Sequence, residues 1–444
     1  VRDLPGGHDR GHHRRDLHPA RDVRRGVNDA VLIRAKACAP MVLALALAAV
    51  TLRLAPPQAL LPAWLPFVLG ALALAWPALR PADVTRDDTL PALAIVLASI
   101  GLAIVARLQP ELAQKQVVWL AFSLVLAVAA GPAFDRFRVL AAYKYIWILA
   151  AIGLFVGLAL FGQEVNGARL WIRLGPVQFE PVEVIKLLVV LFMAGYLADT
   201  ADVIARTKPW SLRANAKYLG PLFLGWGVSM GILVFERDLG MAALLLATFV
   251  AMLYVATRRI DLVAGATGIF VLAAWWAANH YTYVERRIAV WKDPFRDPLG
   301  AGYQAVQSLF SLANGGLFGT GYGHGRPDYI PDVATDYVYA AFGEEWGAIG
   351  AIALLLVFLA VVLRAFRVAG RQPDLYAKLL ATGLAAVFGF QIVIIVGGVL
   401  RLFPLTGITL PFVSYGGSSL VTNFLLVALV WAISSERRTA TAPR

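Results

Sequence analysis

Two Asp-Pro dipeptides lie four residues apart in WKDPFRDPLGAGYQAVQSLF, which places Asp293 and Asp297 among Arg286, Arg287, Lys292 and Arg296. Asp-Pro favours a turn, and Gly300 and Gly302 let backbone approach closely, so either carboxylate would be held in a fixed loop beside cations. An ionised carboxylate so held can serve as a general base, although an aspartate that only forms the turn reads the same. Glu183 and Lys186 make a second pair. Pro181 opens a helix, Glu183 falls in its first turn, where the helix dipole favours an anion, and Lys186 three residues later shares its face. An ionisable pair entering a membrane helix is costly and by default functional; the alternative is a mutually satisfied structural ion pair. Arg237 and Asp238, in FERDLGMAALL, set a cation and a carboxylate at the mouth of another apolar run, where Asp is also a good helix cap.

The elements that must position these residues are membrane helices. With 59% hydrophobic and 15% charged residues over 444 positions, and a mean hydropathy of +0.69, the chain lies far outside the range of soluble domains. Apolar stretches of the roughly 20 residues a spanning helix needs recur almost end to end. The reading is an all-α polytopic membrane protein with about twelve spans, at 37–55, 60–79, 91–107, 116–131, 144–161, 183–198, 217–235, 239–256, 262–279, 346–366, 377–400 and 415–434. The net charge of +12 belongs with cytoplasmic loops and anionic membrane lipids, and no nucleic-acid partner is implied. The single cysteine, Cys38, excludes an internal disulfide framework and a multi-cysteine metal site. Neither a Ser-His-Asp set nor His/Cys metal-ligand spacing is evident.

Residues 1–36 hold four of the six histidines and many arginines, and read as a basic, disordered tail. Setting that tail in the cytoplasm puts most Lys and Arg on the same side, as the positive-inside rule asks, with both termini cytoplasmic. Two long outer loops, 162–182 and 280–345, then carry Arg169, Arg173, Arg286, Arg287, Lys292, Arg296 and Arg326 where cations should be few, so an anionic ligand is expected there. Trp171 and the Gly/Pro content suggest that 162–182 is a re-entrant or interfacial segment. NGGLFGTGYGHG (314–325) lacks the ending and preceding strand of a P-loop and reads as irregular. In 400–419, Pro404, Gly407, Pro411, Gly416 and Gly417 break helix, and the hydroxyls of Thr406, Ser414, Ser418 and Ser419 are expected to satisfy the freed backbone.

Five blocks now stand in order: NGARLWIRLGPVQFEPVEVIKLL, ERDLGMAALL, WKDPFRDPLGAGYQAVQSLFSLANGGLFGTGYG, ATDYVYAAFGEEWG and PLTGITLPFVSYGGSSL. In this order the chain resembles the SEDS family of bacterial cell-shape, division and sporulation proteins (RodA, FtsW, SpoVE) over about residues 85–435. The resemblance implies a peptidoglycan glycosyltransferase that polymerises lipid II at the outer face of the cytoplasmic membrane, for elongation or division, with a class B penicillin-binding protein transpeptidase as partner. It puts the catalytic aspartate on Asp297, the active-site Glu and Lys on Glu183 and Lys186, and the D-L-G aspartate on Asp238. Val182 stands where Ser is usual, Glu180 where Gln is common and Ala334 where His often precedes T-D.

The family core has ten spans, so residues 37–84 would be two extra N-terminal helices before a membrane domain at 85–436, with loop 280–345 outside and a tail at 437–444. In such a reaction one ionised carboxylate suffices as base, because a diphosphate is already a good leaving group. Its charge needs cations, for which Lys186, Arg287, Arg237 and Arg401 are the candidates. No metal is assigned, though the chemistry would accommodate a divalent cation. The rival readings are a flippase for lipid-linked precursors, which would set its ionisable residues near the bilayer midplane, and a noncatalytic scaffold, in which Asp297 is dispensable.

Overall fold

The computed structural model describes residues 84–165, 168–175, 177–207, 216–223, 227 and 238–437. The basic tail, the two expected N-terminal spans, most of the expected span at 217–235, Arg237 and most of the C-terminal tail lie outside them. In chain order the described helices are α1 (Thr89–Leu108), α2 (Pro110–Phe134), α3 (Lys144–Phe161), α4 (Pro181–Arg206), α5 (Leu239–Thr257), α6 (Ile260–His280), α7 (Thr282–Lys292), α8 (Tyr303–Gly315), α9 (Val338–Arg371), α10 (Leu375–Val399) and α11 (Gly417–Ile433). Among the described residues, eight apolar segments, including α1, α2, α4, α5, α6, α9 and α10, are long enough to cross a bilayer, and α11 is shorter. The protein is therefore a multi-pass, all-α membrane protein.

Burial separates inner helices from outer ones. In α1, α4 and α10 about three-quarters of the apolar window is buried inside the protein, whereas in α2, α6 and α9 most of it faces outward, as lipid-facing surface does. α10 packs against α4, α5, α9 and α11. Without a hydrophobic drive between helices in lipid, close contact needs small residues, and Gly383 supplies it here. A Cβ at Gly383 would sit 2.6 Å from Met252 Sδ on α5 and 2.7 Å from a Val190 methyl on α4. The N-terminus of α4, which carries Glu183 and Lys186, is thereby pressed into the centre of the bundle.

Two expectations change. Within 162–182, residues 163–179 form a three-stranded antiparallel meander, β1 (Gln163–Val165), β2 (Ala168–Leu174) and β3 (Val177–Phe179), rather than a re-entrant segment. The Asn166-Gly167 dipeptide is a hairpin signal that the interfacial reading passed over; those two residues are themselves outside the described set. Loop 280–345 is largely helical, holding α7, α8 and the first turns of α9. α9 starts at Val338, well before the expected 346, because Gly347, at φ 68°, lets a short apolar helix join the span across a break. Residues 316–335 are irregular apart from a turn of 3-10 helix, as their glycines predict.

Candidate active site

Lys186 is completely buried and Glu183 is 1% exposed. The Lys186 ammonium donates to Glu183 Oε2 at 2.5 Å and to Gln391 Oε1 at 2.8 Å, and Gln391 in turn donates from Nε2 to the Thr409 carbonyl at 2.8 Å. An ammonium has three N–H donors, so one is left over. Gln391 was not legible as a site residue: it is a neutral amide inside an apolar run, and only its polarity marks it.

Around this pair the chain gathers further acids. Asp238 caps α5, accepting from the Met241 amide at 3.0 Å, and is 5% exposed. Burial pushes its carboxyl up to about 6, against the Met241 amide and the Arg287 charge, which pull it down. Asp336, just before α9, is likewise raised to about 6 by burial, with Arg287 again opposing. Glu180 precedes α4 and has its backbone N–H on Ser418 Oγ at 2.9 Å. Burial first, then the charges of Glu183 and Asp238, hold its carboxyl well above the usual range. Burial of this acid therefore disfavours its charged form at a position where the resemblance expects an amide. Asp336 and Glu180 lie beside the pair without having been singled out as candidates.

Arg287 on α7 faces both Asp238 and Asp336. Among the described residues, its Nη1 is buried without a hydrogen-bond partner, as are Thr406 Oγ1 and Arg401 Nε. Thr406 abuts Gly240 in the first turn of α5, and Gly407, at φ 77°, lies against the Asp336 carboxylate. The cluster thus joins four acids, Glu180, Glu183, Asp238 and Asp336, with two cations, Lys186 and Arg287, beside donors that have unused capacity for an acceptor group of a ligand.

Asp297 stands apart from it. The residue is exposed, on the turn that leads from α7 into α8. Its Oδ1 accepts from the Gly300 amide at 3.1 Å and its Oδ2 from the Ala301 amide at 2.9 Å. A carboxylate offers about four lone-pair sites, so the two amides fix it and leave capacity for a proton. A Cβ at Gly300 would fall 2.3 Å from Asp297 Oδ2, and one at Gly302 2.1 Å from the Pro294 carbonyl, so both glycines are required by close approach. Asp293 caps the preceding 3-10 turn, accepting from the Phe295 amide at 3.1 Å. Arg401 takes a different place from the one expected. Its Nη2 donates to the carbonyls of Trp291 and Lys292 at 2.8 and 3.1 Å, and Trp291 Nε1 returns a bond to the Arg401 carbonyl at 3.0 Å. It caps the C-terminus of α7, where the helix dipole favours a cation.

The broken segment before α11 is satisfied in part by its hydroxyls, as expected of Ser414, whereas Thr406 Oγ1 has no hydrogen-bond partner among the described residues. Ser414 Oγ donates to the Thr335 carbonyl at 2.5 Å and accepts from the Leu410 amide at 3.0 Å, and Thr409 Oγ1 donates to Ser419 Oγ at 2.8 Å. Gln116 on α2 adds bonds to the Ser414 carbonyl and the Gly416 amide, each at 3.3 Å. Among the described residues, no group of three or more His, Cys, Asp or Glu is arranged to hold a metal ion.

The family model for FtsW, RodA and SpoVE, described as "Cell cycle protein", matches residues 84–439. The chain belongs to this family. It is 38% identical over 383 residues to the peptidoglycan glycosyltransferase RodA of Mycobacterium tuberculosis, covering 82% of this chain and 81% of that one. It is 33% identical to the probable peptidoglycan glycosyltransferase FtsW of Thiomicrospira cyclica, over 78% of this chain and 91% of the relative. Among solved structures, the rod shape determining protein RodA of Thermus thermophilus superposes with a TM-score of 0.59 at 28% identity, covering 80% of this chain and 98% of that one. A chain of a peptidoglycan synthase complex, described for its structural coordination of polymerization and crosslinking, gives a TM-score of 0.65 at 28% identity over 79% and 98%.

Proposed function

We propose that this protein is a peptidoglycan glycosyltransferase that polymerises lipid II at the outer face of the bacterial cytoplasmic membrane, with Asp297 as general base. The membrane domain has both termini in the cytoplasm and 280–345 outside. The acceptor sugar hydroxyl attacks the anomeric carbon of the lipid-diphosphate-linked sugar, its proton passes to the Asp297 carboxylate, and the bond from carbon to the diphosphate oxygen breaks. The diphosphate leaves with its charge received by the free N–H of Lys186 and by Arg287, with Glu183 and Gln391 orienting the ammonium. Asp238 and Asp336 hold Arg287 in place. A class B penicillin-binding protein is the partner that would cross-link the product, as polymerization and crosslinking are coordinated in the solved synthase complex. Whether elongation or division is served depends on that partner.

The observation that carries this reading is Asp297: an exposed carboxylate fixed by two backbone amides and still able to accept a proton. Asp297→Asn keeps the Oδ1 acceptor for Gly300 and loses only the second cap, so the turn survives while the base is gone. General-base catalysis is worth about 10²–10⁴-fold, and glycan-strand formation by the purified variant is expected to fall by that factor. Asp293→Asn, which touches only the 3-10 turn, is expected to cost far less. Near-full polymerisation by folded Asp297→Asn overturns the assignment, and would leave the flippase or scaffold readings standing.

A further inference from the structure

Beside the Asp297 turn lies a cavity of about 420 Å³ between α8 and the glycine-rich loop that precedes α9, within the roughly 300–1,000 Å³ typical of small-molecule sites. One stripe of α8, Gln307, Phe310, Ser311 and Asn314, forms one wall, and Thr320 and Tyr329 face it. The spacing of that stripe (i, i+3, i+4, i+7) is the one a helix normally buries in apolar form, yet here it carries two amides, a hydroxyl and a ring.

The walls are fixed by backbone. A Cβ at Gly315 would meet the Gly343 carbonyl at 2.1 Å, and one at Gly319 would meet the Glu345 carbonyl at 2.2 Å, so α8 and the loop lie directly on α9. Amide hydrogen bonds then zip the two together: Thr320 to Glu344 at 2.9 Å, Gly321 to Glu345 at 3.0 Å and Ala348 to Gly316 at 2.9 Å. A cavity so built is preorganised, which lowers the cost of binding.

Glu344 is 3% exposed, and its carboxylate accepts from Ser311 Oγ and from the Arg326 amide, so it has no need of a cation and would repel an anion. The Arg326 guanidinium donates to the Tyr329 hydroxyl at 3.0 Å, stands 3.7 Å from Asp328 and lies 5.1 Å from the Tyr329 ring centroid, and His324 also lines the cavity. The lining further offers two amides, each donor and acceptor, beside two half-exposed rings, Phe310 at 50% and Tyr329 at 53%. Amides pair with vicinal hydroxyl and acetamido groups, and the electron-rich face of a ring attracts the polarised C–H face of a pyranose. Phe310 also packs on Phe295, with centroids 6.3 Å apart, and Phe295 lies two residues before Asp297, so one wall of the cavity is joined to the turn of the proposed base.

We propose that this cavity is a saccharide subsite that holds a neutral N-acetylhexosamine unit of the glycan next to the reacting sugar. The proposal rests on the glycosyltransferase reading above. Its test needs no turnover: the full-length purified protein in detergent is titrated with a soluble, lipid-free tetramer of N-acetylglucosamine and binding is followed by ligand-observed NMR. Asn314→Leu and Tyr329→Leu alter exposed positions, so the fold should persist. Each removes a contact worth about 1 kcal/mol, so the double variant is expected to bind the tetramer about tenfold or more weakly, while Asp297→Asn binds it as wild type does. A sugar-free polyprenyl diphosphate should bind wild type and the double variant alike. The proposal is overturned if wild type that polymerises lipid II does not bind the tetramer, if binding ignores both leucine substitutions, or if they weaken the sugar-free diphosphate instead. Tetramer binding without polymerisation would retire the glycosyltransferase reading and keep the subsite, so the two failures are distinguishable.

Discussion

Lys186→Met asks whether the buried charge pair exists for the fold or for the chemistry. Met keeps the apolar length of the side chain and removes the ammonium, so Glu183, 1% exposed, loses its partner at 2.5 Å and Gln391 loses its donor at 2.8 Å. Breaking one side of a buried pair costs about 3–5 kcal/mol, because the remaining charge stays in a low dielectric. Glu183→Gln strands the ammonium between two amides and should cost a similar amount. With both charges gone the penalty disappears, and such replacements are often neutral or stabilising. Glu183→Gln/Lys186→Met should therefore be far more stable than the sum of the single variants, a coupling well above the roughly 0.5 kcal/mol scatter of independent sites. Thermal unfolding of the three purified variants in detergent measures the coupling, and lipid II polymerisation per folded molecule measures the chemistry. A hydrogen bond to a charged group is worth about 1.5–3 kcal/mol, so loss of one such contact to the diphosphate should cost about 10–100-fold in rate. A folded double variant with near-wild-type polymerisation would make Lys186 structural only, and a double variant no more stable than either single would refute the pairing argument itself.

Three further outcomes are expected. Glu180→Gln should preserve polymerisation and folding at neutral pH, because burial and the neighbouring acids disfavour the charged form of the native carboxyl; a loss of more than about tenfold, beyond one hydrogen bond to a charged group, would show that the ionised acid is needed. Asp238, raised from 3.8 to about 6, binds its proton more tightly folded than unfolded, so its contribution is full below about pH 4 and is lost as pH rises through about 6. At about 1.4 kcal/mol per pH unit that is about 3 kcal/mol; Asp238→Asn, which keeps the cap, should flatten the decline in melting temperature across this window, and an unchanged slope contradicts the assignment. For topology, in a Cys38→Ser background Arg326→Cys should react with a membrane-impermeant thiol reagent in intact cells and Arg371→Cys should not; the reverse pattern inverts the orientation.

The parts of the site that stand out in sequence are those where charge meets an apolar run. Glu183 and Lys186 were legible because helical spacing puts them on one face and lipid-grade neighbours make them costly, and the folded chain joins them. Asp297 was legible through the two glycines that its carboxylate and carbonyl approach. Gln391 was not, since an amide in a span is cheap enough to pass unremarked, and only its pairing across helices reveals it. Arg401 was misplaced for a related reason: sequence shows a cation near the site, but whether it faces a ligand or a helix end is a matter of tertiary placement. The helices within 280–345 hid because α7 carries Glu285, Arg286, Arg287 and Lys292 in eleven residues and α8 is short and polar on one stripe, so neither has the apolar length by which spans are recognised.

The separation of Asp297 from the buried cations follows from what each must do. A cation gains most from low dielectric: two unit charges at 4 Å attract by about 1 kcal/mol in water and about 4 kcal/mol at an effective dielectric of 20. Lys186 and Arg287 are the cations proposed to offer that larger attraction to a diphosphate, and the acids beside them, Glu180, Asp238 and Asp336, oppose it in proportion to their ionisation. A general base has the opposite need. Beside Lys186, a carboxylate would be committed to an ion pair, as Glu183 is; on an exposed turn, held only by amides, it keeps a lone pair for the acceptor hydroxyl. α7 spans the gap, with Arg287 in its middle and the Asp297 turn beyond its end, and Arg401 ties that end to the segment carrying Thr406 and Gly407. The proposed leaving-group cation and the proposed base therefore lie on and just beyond one short helix, so that a shift of α7 would move both together relative to α4.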